Sequence, residues 1–200
     1  MTVAWTGASG LVYGVRLVDV LLRAGRDVFL LRSGAVDQTA PAELDSTPEE
    51  LIAKLRETAA GHGAALTEFG ADEFSSPAAS GSAPSAGMVV CPCSSGTAAR
   101  IACGISDSLL LRAADVCLKE RRRLLLVPRE TPLATHHLEN LARLSAMGAI
   151  ILPAMPGFYQ KPRSISDLVD FIVQRVCDHL EVPVELVGRW AQDGSEGADR

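Results

Sequence analysis

Long apolar runs are missing from this 200-residue chain. None approaches the ~18 residues that a membrane-crossing helix needs, and Arg16, Asp19, Arg23 and Arg26 interrupt the first candidate. No basic region or cleavage motif stands before the first apolar segment, so no secretory leader is expected. An excess of positive charge is also lacking. The formal net charge of −5 argues against wholesale binding to nucleic acid or to an anionic membrane, yet leaves room for a local basic pocket. Cysteine pairs at metal-binding spacing are absent. Cys91, Cys93, Cys103, Cys117 and Cys177 make an odd count without nearby histidines, which suits free thiols in a reducing cytoplasm. Cys91-Pro92-Cys93 alone invites a metal or redox role; buried small hydrophobes at a strand end are the plainer account.

What is present is ordinary globular material. Hydrophobic residues at 48% and charged residues at 22% exclude a disordered chain, and the 17 glycines and 11 prolines exclude a collagen-like one. The length suits one domain with a sizeable core.

The apolar pattern spells alternating strands and helices. Val3–Thr6 is a short strand that runs into Gly7-Ala8-Ser9-Gly10, and Val12, Val15, Val18, Leu21 and Leu22 then form a helical stripe up to Gly25. Val28–Leu31 is the next strand. Thr47-Pro48-Glu49-Glu50 carries a capping box with proline at the first helical position. A Ser/Ala/Gly/Pro-rich connection from Phe74 to Gly87 leads to a strand at Met88–Cys91. Helices are expected at Ala98–Cys103, Leu109–Lys119, His137–Met147 and Ser166–Leu180, and strands at Leu124–Val127 and Ala149–Leu152. Continuous apolar strands separated by helices imply an open, doubly wound parallel sheet covered on both faces.

In such sheets ligands bind beyond the carboxyl ends of the strands. Four polar or glycine-rich turns fall there: Gly7–Gly10, Arg32–Gly34, Cys93–Thr97 and Arg129–Thr131. Their N–H groups and hydroxyls suit a phosphate or a carbonyl-rich ring, hence a nucleotide-like ligand. Gly7-Ala8-Ser9-Gly10 is not G-x-G-x-x-G, because the next glycine is Gly14. No acidic residue ends the second strand to hold an NAD ribose; Arg32 there suggests at best NADP. A P-loop motif is absent as well.

Several segments together resemble the flavin prenyltransferases of the UbiX/Pad family, formerly described as aromatic-acid or polyprenyl-hydroxybenzoate decarboxylases. They are Thr6-Gly7-Ala8-Ser9-Gly10 with Tyr13–Leu17, Pro92-Cys93-Ser94-Ser95-Gly96-Thr97, Arg112–Val116 with Leu118–Arg122, Val127–Leu133, Phe158-Tyr159 with Pro162, and Asp167–Phe171. The likeness runs in collinear order from residue 3 to about 180. It implies a flavodoxin-like (Rossmann-like) three-layer α/β sandwich with a parallel sheet, so that residues 1–182 form a single flavin-binding domain and 183–200 a C-terminal tail. It implies metal-independent transfer of the dimethylallyl group of dimethylallyl phosphate to N5 and C6 of reduced FMN. Prenylated FMN would then serve a UbiD-type decarboxylase, and the chain would assemble as a homododecamer.

Carried over position by position, the resemblance assigns FMN to Gly7, Ala8, Ser9, Ser33, Ser94, Ser95, Gly96, Thr97 and Arg129. It assigns dimethylallyl phosphate to Tyr159 and Arg175, and places Glu130, Lys119 and Glu43 in the catalytic set. The chain departs from the family pattern at Gly96, where many members have lysine, and at Gln160-Lys161, which replace His-Arg. Each residue also has a plainer role: Ser94 and Thr97 as helix caps, Lys119–Arg123 as a solvated helix end, Arg175 as a surface residue, Glu130 as one half of a structural Glu–Arg pair. Next to a substrate phosphate, like charge would raise the Glu130 pKa, with Lys119 and Arg129 opposing the rise. Trp190 either packs over a neighbouring subunit's site or belongs to a loose tail. His136-His137 reads as helix surface. Two other classes share this fold: cysteine-peptide decarboxylases, which need a histidine near the first helix where residues 7–34 hold none, and a non-catalytic FMN-binding or delivery protein.

Overall fold

The computed structural model describes residues 1–188; Trp190 and the end of the tail lie outside them. Strands β1 (Thr2–Trp5), β2 (Val28–Arg32), β3 (Leu66–Phe69), β4 (Met88–Cys93), β5 (Leu124–Pro128) and β6 (Ile150–Ile151) form one all-parallel sheet in the order β3-β2-β1-β4-β5-β6. The helices are α1 (Leu11–Arg23), α2 (Val36–Leu44), α3 (Pro48–Gly61), α4 (Ser95–Ala102), α5 (Leu109–Lys119), α6 (Thr135–Ala146) and α7 (Ile165–Leu180). Side chains along β5 show why its run is apolar throughout. Leu125 and Val127 join the core beneath α1 and α7, whereas Leu124 and Leu126 join the core beneath α4 and α5. A strand buried on both faces has no polar side to show. The result is the flavodoxin-like, three-layer α/β sandwich.

Local chemistry sets the helix ends. At α3 the Thr47 hydroxyl accepts from the Glu50 N–H at 3.2 Å, and the Glu50 carboxylate accepts from the Thr47 N–H at 2.8 Å. Ser94 and Ser108 cap α4 and α5 through their hydroxyls alone, and Ser164 with Asp167 repeats the reciprocal box at α7. Gln174, buried on α7, bonds the Val184 carbonyl and the Leu186 N–H, and so draws residues 184–186 back onto the helix.

Two elements carry little sequence signal. α2 buries only Val36 and Ala40 and contains Pro41, so neither its stripe nor its composition announces a helix. β3 is an edge strand whose Thr67 and Glu68 interrupt any apolar run. The 74–87 connection holds one 3-10 turn at Pro77–Ala79, with the Ser76 hydroxyl accepting from the Ala78 N–H.

α1 lies unusually close to the sheet. A Cβ on Gly14 would stand 2.2 Å from the Cys91 carbonyl oxygen and 2.8 Å from the Trp5 ring. Gly14→Ala should therefore cost about 1–3 kcal/mol through overpacking, read as a lower urea midpoint. Gly61→Ala, where a Cβ meets nothing within 4 Å, is the control and should be neutral or stabilising by up to about 1 kcal/mol. Equal midpoints for the two variants would mean that the α1–sheet contact is soft.

Candidate functional site

The strand order reverses between β1 and β4, and the helices that follow these strands pack on opposite faces. A crevice opens at such a switch point. Its floor is tied by one buried hydroxyl: Thr6 Oγ1 donates to the Pro92 carbonyl at 2.8 Å and accepts from the Ser94 N–H at 2.9 Å. The sequence offers Thr6 only as part of the Thr6–Gly10 motif; the pairing of β1 with β4 is what gives its hydroxyl a task.

Around this floor the four turns converge. Gly7 lets the β1–α1 loop meet the β2–α2 loop, because a Cβ there would fall 2.4 Å from the Ala35 Cβ. Arg129, after β5, reaches across β4 and donates from Nε to the Ser9 carbonyl at 3.0 Å. Ser94 Oγ accepts from the Thr97 N–H at 3.2 Å and lies 2.9 Å from Thr97 Oγ1, so the caps of α4 line the same crevice. Ser95 Oγ donates to Glu130 Oε2 at 3.0 Å. Glu43, from α2, accepts from the Gly10 and Leu11 N–H groups at the start of α1. Ser33, Gly34 and Thr97 line a cavity of about 260 Å³ with Arg100 and Ser108. Ser33 Oγ is buried there without a hydrogen-bond partner.

The residues that the resemblance groups together do not all meet in one protomer. Gly7, Ala8, Ser9, Ser33, Ser94–Thr97, Arg129, Glu130 and Glu43 stand on the loops and helix ends at the carboxyl edge of the sheet. Tyr159, in the loop after β6, lies toward the same end with its ring edge-on to Phe171 at 5.8 Å. Lys119 ends α5 at the opposite edge, paired with Glu120. Arg175 sits ten residues past the start of α7, about 15 Å along its axis at 1.5 Å per residue, paired with Asp178.

Glu130 is charged more readily than an ordinary glutamate. The Ser95 hydroxyl, the Thr131 N–H, and then the Arg129 and His137 charges hold its pKa below the usual value. Lys119, expected nearby, takes no part within the protomer. Arg32 is committed elsewhere: its guanidinium pairs with Asp37, Glu49 and Glu68, which removes the only support for an NADP phosphate. Cys91 and Cys93 are buried in β4; burial pushes the Cys93 thiol up to about 12 and Cys91 higher still, so both stay protonated at neutral pH. His136 and His137 lie on the first turn of α6, where His137 Nδ1 accepts from the Ala134 N–H.

Similarity to known proteins runs over nearly the whole chain. The Flavoprotein family model matches residues 1–177. The flavin prenyltransferase UbiX of Pseudomonas aeruginosa is 45% identical over 196 residues, covering 96% of this chain and 94% of its own length. That of Methanothermobacter thermautotrophicus is 46% identical, covering 94% and 93%. The structure of AnUbiX in complex with FMN and dimethylallyl pyrophosphate superposes with a TM-score of 0.87 at 39% identity, over 94% of this chain and 95% of that one. The chain belongs to the flavin prenyltransferase family.

Family membership gives the departures a physical reading. A Cβ at Gly96 meets nothing within 4 Å, so the site accommodates glycine or a longer side chain without rearrangement. Gln160 donates to the Gly188 carbonyl at 2.7 Å and ties the β6–α7 loop to the end of the described chain, while Lys161 is exposed in the left-handed backbone region. The cysteine decarboxylase TvaF, at 19% identity and a TM-score of 0.55, shares the fold alone.

Ser95 is the largest cause of the low Glu130 pKa. Ser95→Ala should raise it toward the ordinary glutamate value, read by carbon NMR titration of the side-chain carboxyl. An unmoved titration would show that the Ser95 bond does not govern the charge of Glu130.

Proposed function

We propose that this chain joins the dimethylallyl group of dimethylallyl phosphate to N5 and C6 of reduced FMN, giving prenylated FMN and phosphate. The observation that carries the reading is the near full-length likeness to UbiX proteins. The cradle suits a flavin phosphate: Ser33 Oγ is an unsatisfied buried hydroxyl, and Thr97 and Arg100 share its cavity. Bound reduced FMN supplies the nucleophilic N5 and C6 that take the dimethylallyl group.

The chain's own residues do the rest. Gly7, Ala8 and Ser9 leave room for the ring against the β1–α1 loop, and Arg129 adds a fixed positive charge beside it. As the allylic C–O bond breaks, its electron pair leaves on phosphate, which Tyr159, Arg175 and Lys119 receive. The reading assigns that neutralisation to side chains and to no metal. Glu130, ionised in the free site, takes the N5 proton as the first bond forms and gives it to C2 of the prenyl group as the double bond opens; C3 then bonds to C6, and the carboxylate takes the proton that C6 loses. An arriving substrate phosphate raises its pKa by like charge, which lets the same carboxyl return a proton to the leaving group.

Lys119 and Arg175 stand far from Glu130 in one protomer, so a neighbour's copies complete the site within a homo-oligomer. The Escherichia coli O157:H7 UbiX-like decarboxylase, 36% identical with a TM-score of 0.85 over 95% of this chain and 99% of that one, is dodecameric, and we infer the same assembly here. A UbiD-type decarboxylase is the consumer of the product that this chemistry implies. The five free thiols suit a cytoplasmic setting, and among the described residues no helix is long and apolar enough to cross a membrane.

Single-turnover incubation with reduced FMN and dimethylallyl phosphate, followed by mass spectrometry of the bound flavin, tests the activity. Unmodified flavin would leave a binding or delivery protein. Glu130→Gln should still bind FMN but lose turnover by about 10²–10⁴-fold, the usual worth of acid–base catalysis. Near-normal rates would leave Glu130 as a structural partner of Ser95.

Oligomers reassembled from a mixture of Lys119→Ala and Glu130→Gln chains should recover activity that neither variant has alone, because some sites then combine an intact Glu130 with a neighbour's intact Lys119. No recovery on mixing would place both residues' roles within one protomer.

A further inference from the structure

Gly81 sits where the connection between β3 and β4 crosses the end of α5. Two arginines fasten this stretch of backbone to the helix. Arg112 Nε donates to the Ala79 carbonyl at 3.3 Å, and Arg122 donates to the Gly81 carbonyl. Arg112 is itself steadied by Asp115 at 3.0 Å. On the connection's own side, the Ser80 hydroxyl accepts from the Ser82 N–H at 3.3 Å and lies 3.0 Å from the Ser82 hydroxyl. The turn around Gly81 is thus held at both flanks. Lys119 follows Arg112 by two turns along the same face of α5, and its ammonium bonds the Glu120 carboxylate. A Cβ on Gly81 would fall 2.7 Å from Lys119 Nζ and closer still to Glu120 Oε1.

The ends of two charged side chains therefore rest in the space that this glycine leaves. Folding does not demand a glycine there. Gly81 is half-buried, its backbone lies outside the left-handed region, and the atoms a methyl would displace are the tips of flexible side chains. Gly14 is the contrast, since a Cβ there strikes a backbone carbonyl and the Trp5 ring. A methyl at position 81 costs the fold little; what it costs is the place of the ammonium. The bond to Lys119 also holds the Glu120 carboxyl below the usual glutamate range, so the carboxylate stays charged at neutral pH.

We propose that Gly81 is a positioning residue for Lys119, an inference that rests on the reading above in which Lys119 completes a neighbour's site. Its missing side chain seats the Lys119–Glu120 pair, so that the ammonium meets the phosphate of dimethylallyl phosphate held by the next subunit. Gly81 touches no substrate and acts through Lys119. An exposed lysine has many rotamers, and it serves a phosphate in another subunit only when presented from a fixed place. The arginine bonds at Ala79 and Gly81 tie the seat to the helix that carries the lysine.

Steady-state kinetics of the full-length, assembled protein at saturating reduced FMN test the seat. Gly81→Ala should keep its oligomer size, melting temperature and FMN affinity. Its KM for dimethylallyl phosphate should rise, lowering kcat/KM by about 10–10²-fold, the range that misplacement by an ångström reaches. Lys119→Ala should lower kcat/KM too, and adding Gly81→Ala to it should lower it no further, because both act through one group. Additive losses, or wild-type kcat/KM in Gly81→Ala, overturn the proposal. So does a Gly81→Ala chain that fails to fold or assemble, since the glycine would then serve packing. Mixed oligomers give a second measurement. Gly81→Ala reassembled with Glu130→Gln should exceed the mean of the two separate variants, whereas Gly81→Ala with Lys119→Ala should not. The reverse pattern would put Gly81 on the crevice side and overturn the proposal. Lys119→Ala at wild-type rates would instead overturn the reading of the shared site, and this inference with it.

Discussion

The buried Thr6 hydroxyl holds together the two strand ends between which the crevice opens. β1 and β4 are hydrogen-bonded neighbours in the sheet, yet their helices leave toward opposite faces, so the chain must diverge just beyond Trp5 and Cys93. Thr6 bridges that divergence with one donated and one accepted bond. In a water-excluded position, such a bond carries weight because leaving the Pro92 carbonyl or the Ser94 N–H unsatisfied costs about 1–3 kcal/mol. Ser94 in turn caps α4, and the α4 start carries Ser95, which sets the charge of Glu130. Loss of the tie would therefore reach Glu130 through two further hydrogen bonds.

Most of the sheet was legible in the sequence for a simple reason. Strands buried on both faces must be apolar at every position, and helices between them must show a stripe, so β1, β2, β4 and β5 and the helices α1, α5 and α7 stand out. The capping box of α3 is legible because its chemistry is local. α2 and β3 are not, since Pro41 spoils the first and polar Thr67 and Glu68 spoil the second. The crevice follows the same division. Turns such as Ser94–Thr97 and Arg129–Glu130 appear as motifs, whereas the Thr6 bridge and the bond from Glu43 to the start of α1 exist only once residues 33 to 88 positions apart are brought together. The sequence also offers Arg32 as a cation for a ligand. Three carboxylates from α2, α3 and β3 claim it, and no local pattern could announce that competition.

Charge in the crevice is arranged by subtraction as much as by addition. Arg129 stays beside the β1–α1 loop with a backbone carbonyl as partner, while Arg32 is neutralised and the start of α1 is occupied by Glu43. Buried thiols that would otherwise compete as nucleophiles are kept protonated by burial; Cys117 and Cys177 are pushed up to about 11 and about 12. The hydroxyl that remains without a partner, Ser33 Oγ, thus stands out against a background in which the neighbouring charges already have theirs.

Topology explains why one protomer does not hold every residue that the family motifs bring to mind. In a parallel sheet each helix runs back against the strands, so a residue early in a helix lies near the carboxyl edge and one late in it lies near the amino edge. Glu130, Ser95 and Glu43 lie at loops, helix starts or the α2 end beside α1, and they converge. Lys119 closes α5, and Arg123, four residues on, already pairs with Glu181 at the far end of α7. An α5 of 11 residues spans about 16 Å, too far for a lysine side chain to return along it. A second copy can offer its amino edge to the first copy's carboxyl edge. Such a contact joins two different surfaces, so it must be repeated around a closed ring or cage if every subunit is to be completed. On the proposed reading, a pairing of Lys119 with Glu130 split across opposite edges of the sheet makes closed assembly a condition of activity.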